Sequence, residues 1–322
     1  MKKYNFINLV SAFIALPVVV MGFAVAASAA DGTKVSGFAN AQFHMTEKAS
    51  TSNGFVVHDG AVYLTHNMGK AKVHIDLPFS GGGANNNFAF ATTRPQAYVH
   101  YAYDHGLHWT MGQFDNVYGF EGVDTADIFF SRRGLLANTT RGNVHTGFML
   151  GYKFTDQFEL SALISNRNGG TRHDDNYEYG GKFSYNGLFN FSVGYLHHKQ
   201  RAQSATDFLV DVVAGLSVSN FTFDAEFDAF KNAALAGDSG VGFMGQITWK
   251  CLPKFAVGVR PEFLRKNPGG AFSTFQVTAG PQYQMNDHLT TKLDYTLMST
   301  KQVDGGTSES THAGVLAALY TF

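Results

Sequence analysis

Along most of this chain, segments of about ten residues alternate apolar with polar side chains, and short turn-rich connections take turns with longer ones. Lys70-Ala71-Lys72-Val73-His74-Ile75-Asp76-Leu77 is the plainest case: every even position is charged or ionisable and every odd one aliphatic. Such a strand shows one face to hydrocarbon and the other to water. The pattern recurs over 35–45, 56–66, 70–79, 95–104, 107–115, 142–154, 158–167, 177–186, 189–200, 207–219, 221–231, 241–251, 255–265, 272–285, 289–300 and 312–322. It implies an all-β chain, a transmembrane antiparallel β-barrel of about 16 strands. Pro261 and Pro281 fall inside two of these segments, where each forfeits a ladder hydrogen bond and puts the strand count locally in question.

The first residues give the chain an address. Lys2 and Lys3 precede an apolar run from Phe13 to Val25, and Ala27-Ser28-Ala29 or Ser28-Ala29-Ala30 supplies a small-residue cleavage site. Residues 1–30 therefore read as a cleaved signal peptide and 31–322 as one barrel domain, since a closed sheet has no edge at which a second unit begins. Roughly 290 residues then remain, too many for eight strands with ordinary loops and comfortable for sixteen. Thirty Phe and 14 Tyr stand against a single cysteine, Cys251, so no disulfide is expected within the chain. Removal of Lys2 and Lys3 from 24 basic and 25 acidic residues leaves 22 against 25, with no polybasic block, and the electrostatic footprint of a nucleic-acid binder is missing.

Short turns at Asn67-Met68-Gly69, Asp104-His105-Gly106, Thr155-Asp156-Gln157, Asn186-Gly187, Ser219-Asn220, Leu252-Pro253-Lys254 and Met285-Asn286-Asp287 are rich in turn formers and belong on the periplasmic side. The longer links, such as 80–94, 168–176 and 301–311, then face outward. Tyr152, Phe154, Phe158, Tyr185, Phe189, Phe221, Trp249, Phe255 and Tyr283 gather at strand ends beside the short turns, where amphipathic rings sit at a membrane interface. A secreted β-sandwich would not cluster its aromatic residues there.

Three motifs carry a resemblance. Gly314-Val315-Leu316-Ala317-Ala318-Leu319-Tyr320-Thr321-Phe322 ends in Phe with Tyr two places before, and resembles the terminal signal that outer-membrane barrels present to their assembly machinery. Gly112-Gln113-Phe114-Asp115 to Tyr118-Gly119-Phe120-Glu121-Gly122-Val123-Asp124, followed by Phe129-Phe130-Ser131-Arg132, resembles the OmpL-like β-barrel porin family of Gram-negative bacteria. The resemblance to general diffusion porins is architectural: their longest loop, the third, also joins strands five and six. It implies a bacterial outer-membrane channel for passive diffusion of small hydrophilic solutes and ions, a third loop folded into the lumen, no cofactor and no reaction.

That link, 116–141, lacks clean alternation between two good strands, which marks a functional or a disordered segment. It carries Glu121, Asp124 and Asp127, then Arg132, Arg133 and Arg141. Inside a lumen, carboxylates facing cations set up a transverse field that orients dipolar solutes and filters ions; the alternative is an external lid whose charges are merely solvated. Strand phase supplies the wall. With Phe221, Phe223, Ala225, Phe227 and Ala229 toward lipid, Asp224, Glu226 and Asp228 form an inward acidic ladder with carboxylates about 7 Å apart. Lys70, Lys72, Lys153, Arg167, Lys182, Lys250, Arg260 and Lys292 share the lumen phase with Asp76, Glu159, Glu178, Asp211, Glu262 and Asp294, and pairs such as Arg260 with Glu262 or Lys292 with Asp294 are a stiffening alternative to pore lining.

Thirteen His are scattered, and neighbours His197 and His198 point to opposite faces of a strand, so no metal site is expected. No nucleophile, base and orienting group come together in the pattern of an enzymatic barrel. Two rival readings remain: a solute-selective channel, for which Phe38, Tyr98, Phe114 and Phe230 take the lumen phase, and a structural or adhesive surface barrel with no open pore. Outward positions of the first and last strands are small, notably Gly37, Ala39, Ala41, Gly314 and Ala318, which suits a tight seam between copies. The residues argue for a contact; the porin resemblance makes it a homotrimer.

Overall fold

The computed structural model describes residues 32–46, 54–81, 88–90, 95–166, 177–199, 207–232, 238–267, 272–302 and 308–322. The leader over 1–30, Arg167, all of the link 168–176, most of 80–94 and residues 303–307 of the link 301–311 lie outside the described residues. The strands are β1 (Thr33–Thr46), β2 (Gly54–Met68), β3 (Ala71–Gly81), β4 (Phe88–Phe90), β5 (Gln96–Ala102), β6 (Leu107–Asp115), β7 (Val144–Lys153), β8 (Phe158–Asn166), β9 (Tyr177–Asn186), β10 (Asn190–Lys199), β11 (Asp207–Val218), β12 (Phe221–Asn232), β13 (Asp238–Leu252), β14 (Phe255–Asn267), β15 (Phe272–Gln284), β16 (Leu289–Gln302) and β17 (Ser308–Thr321). One helical turn and a half, α1 (Leu135–Thr140), interrupts the link between β6 and β7. Apart from β4, which pairs only with β3, each strand pairs antiparallel with the next in the chain, β3 pairs directly with β5, and β1 pairs with β17, so the sheet closes. Because β4 is a three-residue piece on β3, the wall has the expected sixteen strands. Closure runs to the last residue: Gly37 and Phe322 exchange both backbone hydrogen bonds at 3.0 Å.

Both prolines sit within continuous strands. Pro261 pairs with Val277 and Pro281 with Val257, while the ladder opens on the other side, skipping from Met244↔Glu262 to Ile247↔Val259 and from Ala279↔Tyr295 to Gln282↔Lys292. A proline lacks one donor, so each strand gives up bonds toward one neighbour and keeps its register. Turns at the expected positions close through single backbone bonds such as Tyr103 N to Leu107 O, 2.8 Å, and Phe154 N to Phe158 O, 2.9 Å. At the first, Gly69 takes φ 60°. The wall begins only at Ala71, which corrects the placement of Lys70: it lies in the exposed turn and pairs with Asp104 of the next one.

The outer face is apolar. Phe221, Phe223, Phe227, Phe243, Phe263, Tyr295 and Leu316 are exposed, and Trp249 stacks on Phe221 with centroids 5.7 Å apart. On β1 and β2 this face is small, and the chain fills part of it with its own rings. A Cβ at Gly37 would lie 2.6 Å from the Phe322 ring and one at Gly60 2.3 Å from Phe79, which also covers Ala39.

Candidate functional site

Residues 116–143 leave β6 and return to β7 by way of hydrogen-bond partners on every side of the wall. On β1 and β2, Asn40 donates to Thr125 Oγ1 at 2.8 Å, Gln42 to the Ser131 carbonyl at 2.7 Å, and Tyr63 to Asp124 at 2.7 Å. Across the barrel, Asp211 of β11 accepts Gly119 N at 3.0 Å, Glu226 of β12 accepts Phe120 N at 2.7 Å, and Glu262 of β14 accepts Leu136 N at 3.1 Å. On β16, Asp294 accepts Ser131 N at 2.6 Å. A segment bonded to inward residues of β1, β2, β11, β12, β14 and β16 crosses the interior.

Irregular backbone away from water needs partners for its N–H and C=O groups. The charged wall supplies both kinds. Carboxylates accept the amides above, and cations cap the carbonyls: Lys292 donates to Thr125, Ile128 and Phe130 oxygens at 3.1, 2.7 and 3.2 Å, and Lys182 to Val117 O at 2.5 Å. Lys292 is thereby engaged with the loop. Arg260 and Glu262 do pair, at 3.2 Å, and Arg260 reaches Glu121 as well. Glu226 and Asp228 face inward as the strand phase requires, but both are fully buried beneath the loop rather than open to solvent, because Phe120 N and Arg141 meet the first and Thr140 the second. Asp224 stays half-buried, while Lys153 and Lys250 are exposed at the short-turn rim.

Five of the six loop charges singled out in the sequence are tied down. Glu121 accepts Gly134 N at 2.6 Å and the Arg260 guanidinium. Asp124 accepts Tyr63. Arg132 lies against the His44 ring, and Arg133 holds Asn143 and the Ala137 carbonyl, at 2.5 and 3.3 Å. Arg141 donates to Tyr118 O at 2.7 Å and meets Glu226 at 2.9 Å. Its guanidinium occupies the space where a Cβ on residue 119 would stand, and Gly119 has φ 83°, so only glycine fits there. Asp127 is the exposed member.

Sequence reasoning missed the apolar half of the loop's seat. Leu163, Leu196, Leu209, Met244 and Leu264 point inward and, with Phe230 of the expected lumen phase, are buried around Tyr118 and Leu136 of the loop. Burial raises the Tyr118 phenol above its ordinary range, so it remains a neutral donor, to Tyr195 O at 3.2 Å. Asp59 was missed too. It shares odd numbering with outward Phe55 and Val57, yet it faces inward to Asn40 and Thr125 because bulges shift the register between Val57 and Gly60.

The loop divides the interior. A cavity of about 630 Å³ at the long-loop end is lined by Val123, Thr125, Arg132, Arg133, Arg260 and Asp294 among others, and a smaller one of about 380 Å³ lies beside His145 and Lys231. A third, about 580 Å³, opens at the short-turn end beside Asp115, Asp124 and Asp127. Among the described residues one trio of carboxylates, Asp211, Glu226 and Asp228, has oxygens within 4.8 Å of one another. Each already accepts a loop donor, and Arg141 supplies the counter-charge.

A family model, beta-barrel porin-2, OmpL-like, matches residues 28–322. The chain belongs to that family. Among solved structures it is similar to the outer-membrane channel DcaP of Acinetobacter baumannii, with TM-score 0.65 and 15% identity over 90% of this chain and 97% of that one. The anion-selective porin from Comamonas acidovorans gives TM-score 0.65 and 12% identity over 90% and 99%. OmpT of Vibrio cholerae in its trimer form gives 0.63 and 12% over 90% and 99%. At such identities the likeness is one of fold. No curated protein matches the sequence significantly. The chain is an outer-membrane β-barrel porin, a diffusion channel by family and by architecture.

Proposed function

We propose that this porin passes small hydrophilic solutes and ions through the space left beside residues 116–141, with that loop as its constriction and no catalytic step. The observation carrying this reading is the pair of cavities, about 630 and 580 Å³, that open toward opposite ends of one closed barrel with the segment 123–127 between them. The short turns and both termini of the barrel chain face the periplasm, residues 1–30 are removed on export, and Tyr320 with Phe322 forms the signal read by the assembly machinery. Lys72, Asp224 and the exposed Asp127 act on passing ions; the deeper charges act through the loop they hold, except Asp76, which is buried in the wall and accepts from Gln96 at 3.2 Å. Purified protein in a planar bilayer should give large, stable, ohmic steps. A silent bilayer would favour a structural or adhesive surface barrel.

The barrel works as a homotrimer in this reading, supported by small outward residues on β1 and β17 and by the trimer form of the Vibrio cholerae relative in fold. Since Gly37 and Ala39 already lie under Phe322 and Phe79 and Ala318 is itself buried, the seam centres on Ala41 and Gly314. Ala41→Trp should convert a heat-dissociable oligomer on unheated gels into folded monomer. An unchanged oligomer band, or a wild type that is monomeric by light scattering, would refute it.

A further inference from the structure

We infer that the cavity at the short-turn end is a binding station for organic cations with a flat apolar face; the inference rests on the channel reading and names a solute class for it. Tyr63, His74 and Tyr98 stand side by side on β2, β3 and β5, with ring centroids 5.9 and 5.0 Å apart, and all three line this cavity. Phe38 continues the row at one end, 6.2 Å from Tyr63, and Phe114 at the other, 6.4 Å from Tyr98. A row of tilted rings on a lumen wall offers π faces to a planar solute, and such faces attract cations. The Tyr98 ring already does so: the Lys72 ammonium lies 5.6 Å from its centroid, although Lys72 does not line the cavity.

The charge around the same space has the matching sign. Asp115 at the end of β6 and Asp124 and Asp127 of the loop line it, against one cation, the exposed Lys34. Asp124 and Asp115 are positioned, by Tyr63 and by Gln96 at 2.7 and 2.7 Å, while Asp127 is exposed. An anion of the same shape would meet three carboxylates, and a neutral one would gain stacking without charge. The volume, about 580 Å³, falls within the roughly 300–1,000 Å³ of small-molecule sites. Of the interior arginines, Arg132, Arg133 and Arg260 line the cavity of about 630 Å³, together with Asp59 and Asp294, and Arg141 lines the one of about 380 Å³, both on the far side of the loop. An organic cation is thus held at the short-turn end in preference to the long-loop end.

Benzamidinium, benzamide and benzoate share one ring and nearly one shape and differ in charge, so they separate the terms. Full-length protein is placed in planar bilayers and each probe is added on the short-turn side. Benzamidinium should block the ion current reversibly, at lower concentration than benzamide, and benzoate should not block. Asp127→Asn, at an exposed position, and Tyr98→Leu should each weaken the benzamidinium block by about tenfold, equivalent to the loss of one favourable contact. Equal block by benzoate or benzamide, or an unchanged block in both variants, overturns the inference while the open channel stands. A bilayer without conductance overturns the channel reading and this inference with it.

Discussion

Deletion of Val123 to Phe130 is expected to raise single-channel conductance severalfold and to admit larger sugars in liposome swelling. The geometry sets the direction. Val123 and Thr125 line the cavity at the long-loop end, and Asp124, Ala126 and Asp127 line the one at the short-turn end, so the removed residues are what stands between the two. The wall does not depend on them. Its continuity comes from strand ladders and from the β1–β17 closure, which continue without the loop. Lys292 loses its three carbonyl acceptors, yet the space that opens admits water, so its ammonium is rehydrated rather than stranded. Conductance and sugar cut-off that both stay at wild-type values would mean that solutes pass elsewhere, and the constriction reading would fail.

Strand phase was the most legible property of this sequence. Period-two alternation places Phe221, Phe223 and Phe227 outward and Glu226 and Asp228 inward, and the structure has them so. Pro261 and Pro281 looked like breaks because a proline forfeits a bond, but an outward proline needs only one of its two neighbours to let go. Other features depend on what lies beyond the strand. Asp59 is placed by a bulge, which shifts the phase without leaving any mark in the alternation around it. In Asp207–Val218 the phase of Asp207 and Asp211 makes Leu209 inward and Val210 outward, but nothing local says that Leu209 meets the loop and not water. Alternation gives the inward side of Glu226 and Asp228 but not their burial beneath the loop, whereas Asp224 stays half-buried and Lys153 and Lys250 are exposed. Whether an inward carboxylate meets solvent or a backbone amide is decided by the path of residues 116–141, whose partners lie up to 167 positions away in the chain. That path has no periodicity to read, and α1, six residues without a side-chain cap, announces itself no better.

Replacement of Arg260 by methionine is expected to undo the docking of this loop while leaving the barrel closed. Arg260 is 1% exposed. Its guanidinium meets Glu121 of the loop and Glu262 of its own strand, faces the Arg132 carbonyl at 3.4 Å, and lies 4.8 Å from the Phe130 ring centroid. Removing it strands two buried carboxylates that also hold Gly134 N and Leu136 N. Breaking a buried pair from one side costs about 3–5 kcal/mol, enough to shift the loop from a small to a large open population. With Cys251→Ser to clear the background, a cysteine at Ile128, which is 7% exposed, should react slowly with a small thiol reagent in the parent and at least tenfold faster beside Arg260→Met, in line with about 1.4 kcal/mol per decade. Current through the variant should become noisy, with frequent closures, while heat-modifiability on gels shows an intact barrel. Arg260→Lys should fall between, since an ammonium lacks the planar fork that serves several acceptors at once. Adding Glu121→Gln and Glu262→Gln to Arg260→Met removes the stranded charge and should restore slow labelling. Slow labelling in Arg260→Met alone would mean that the apolar seat around Leu136 holds the loop without help from the ion pairs, and that the charged wall has another purpose.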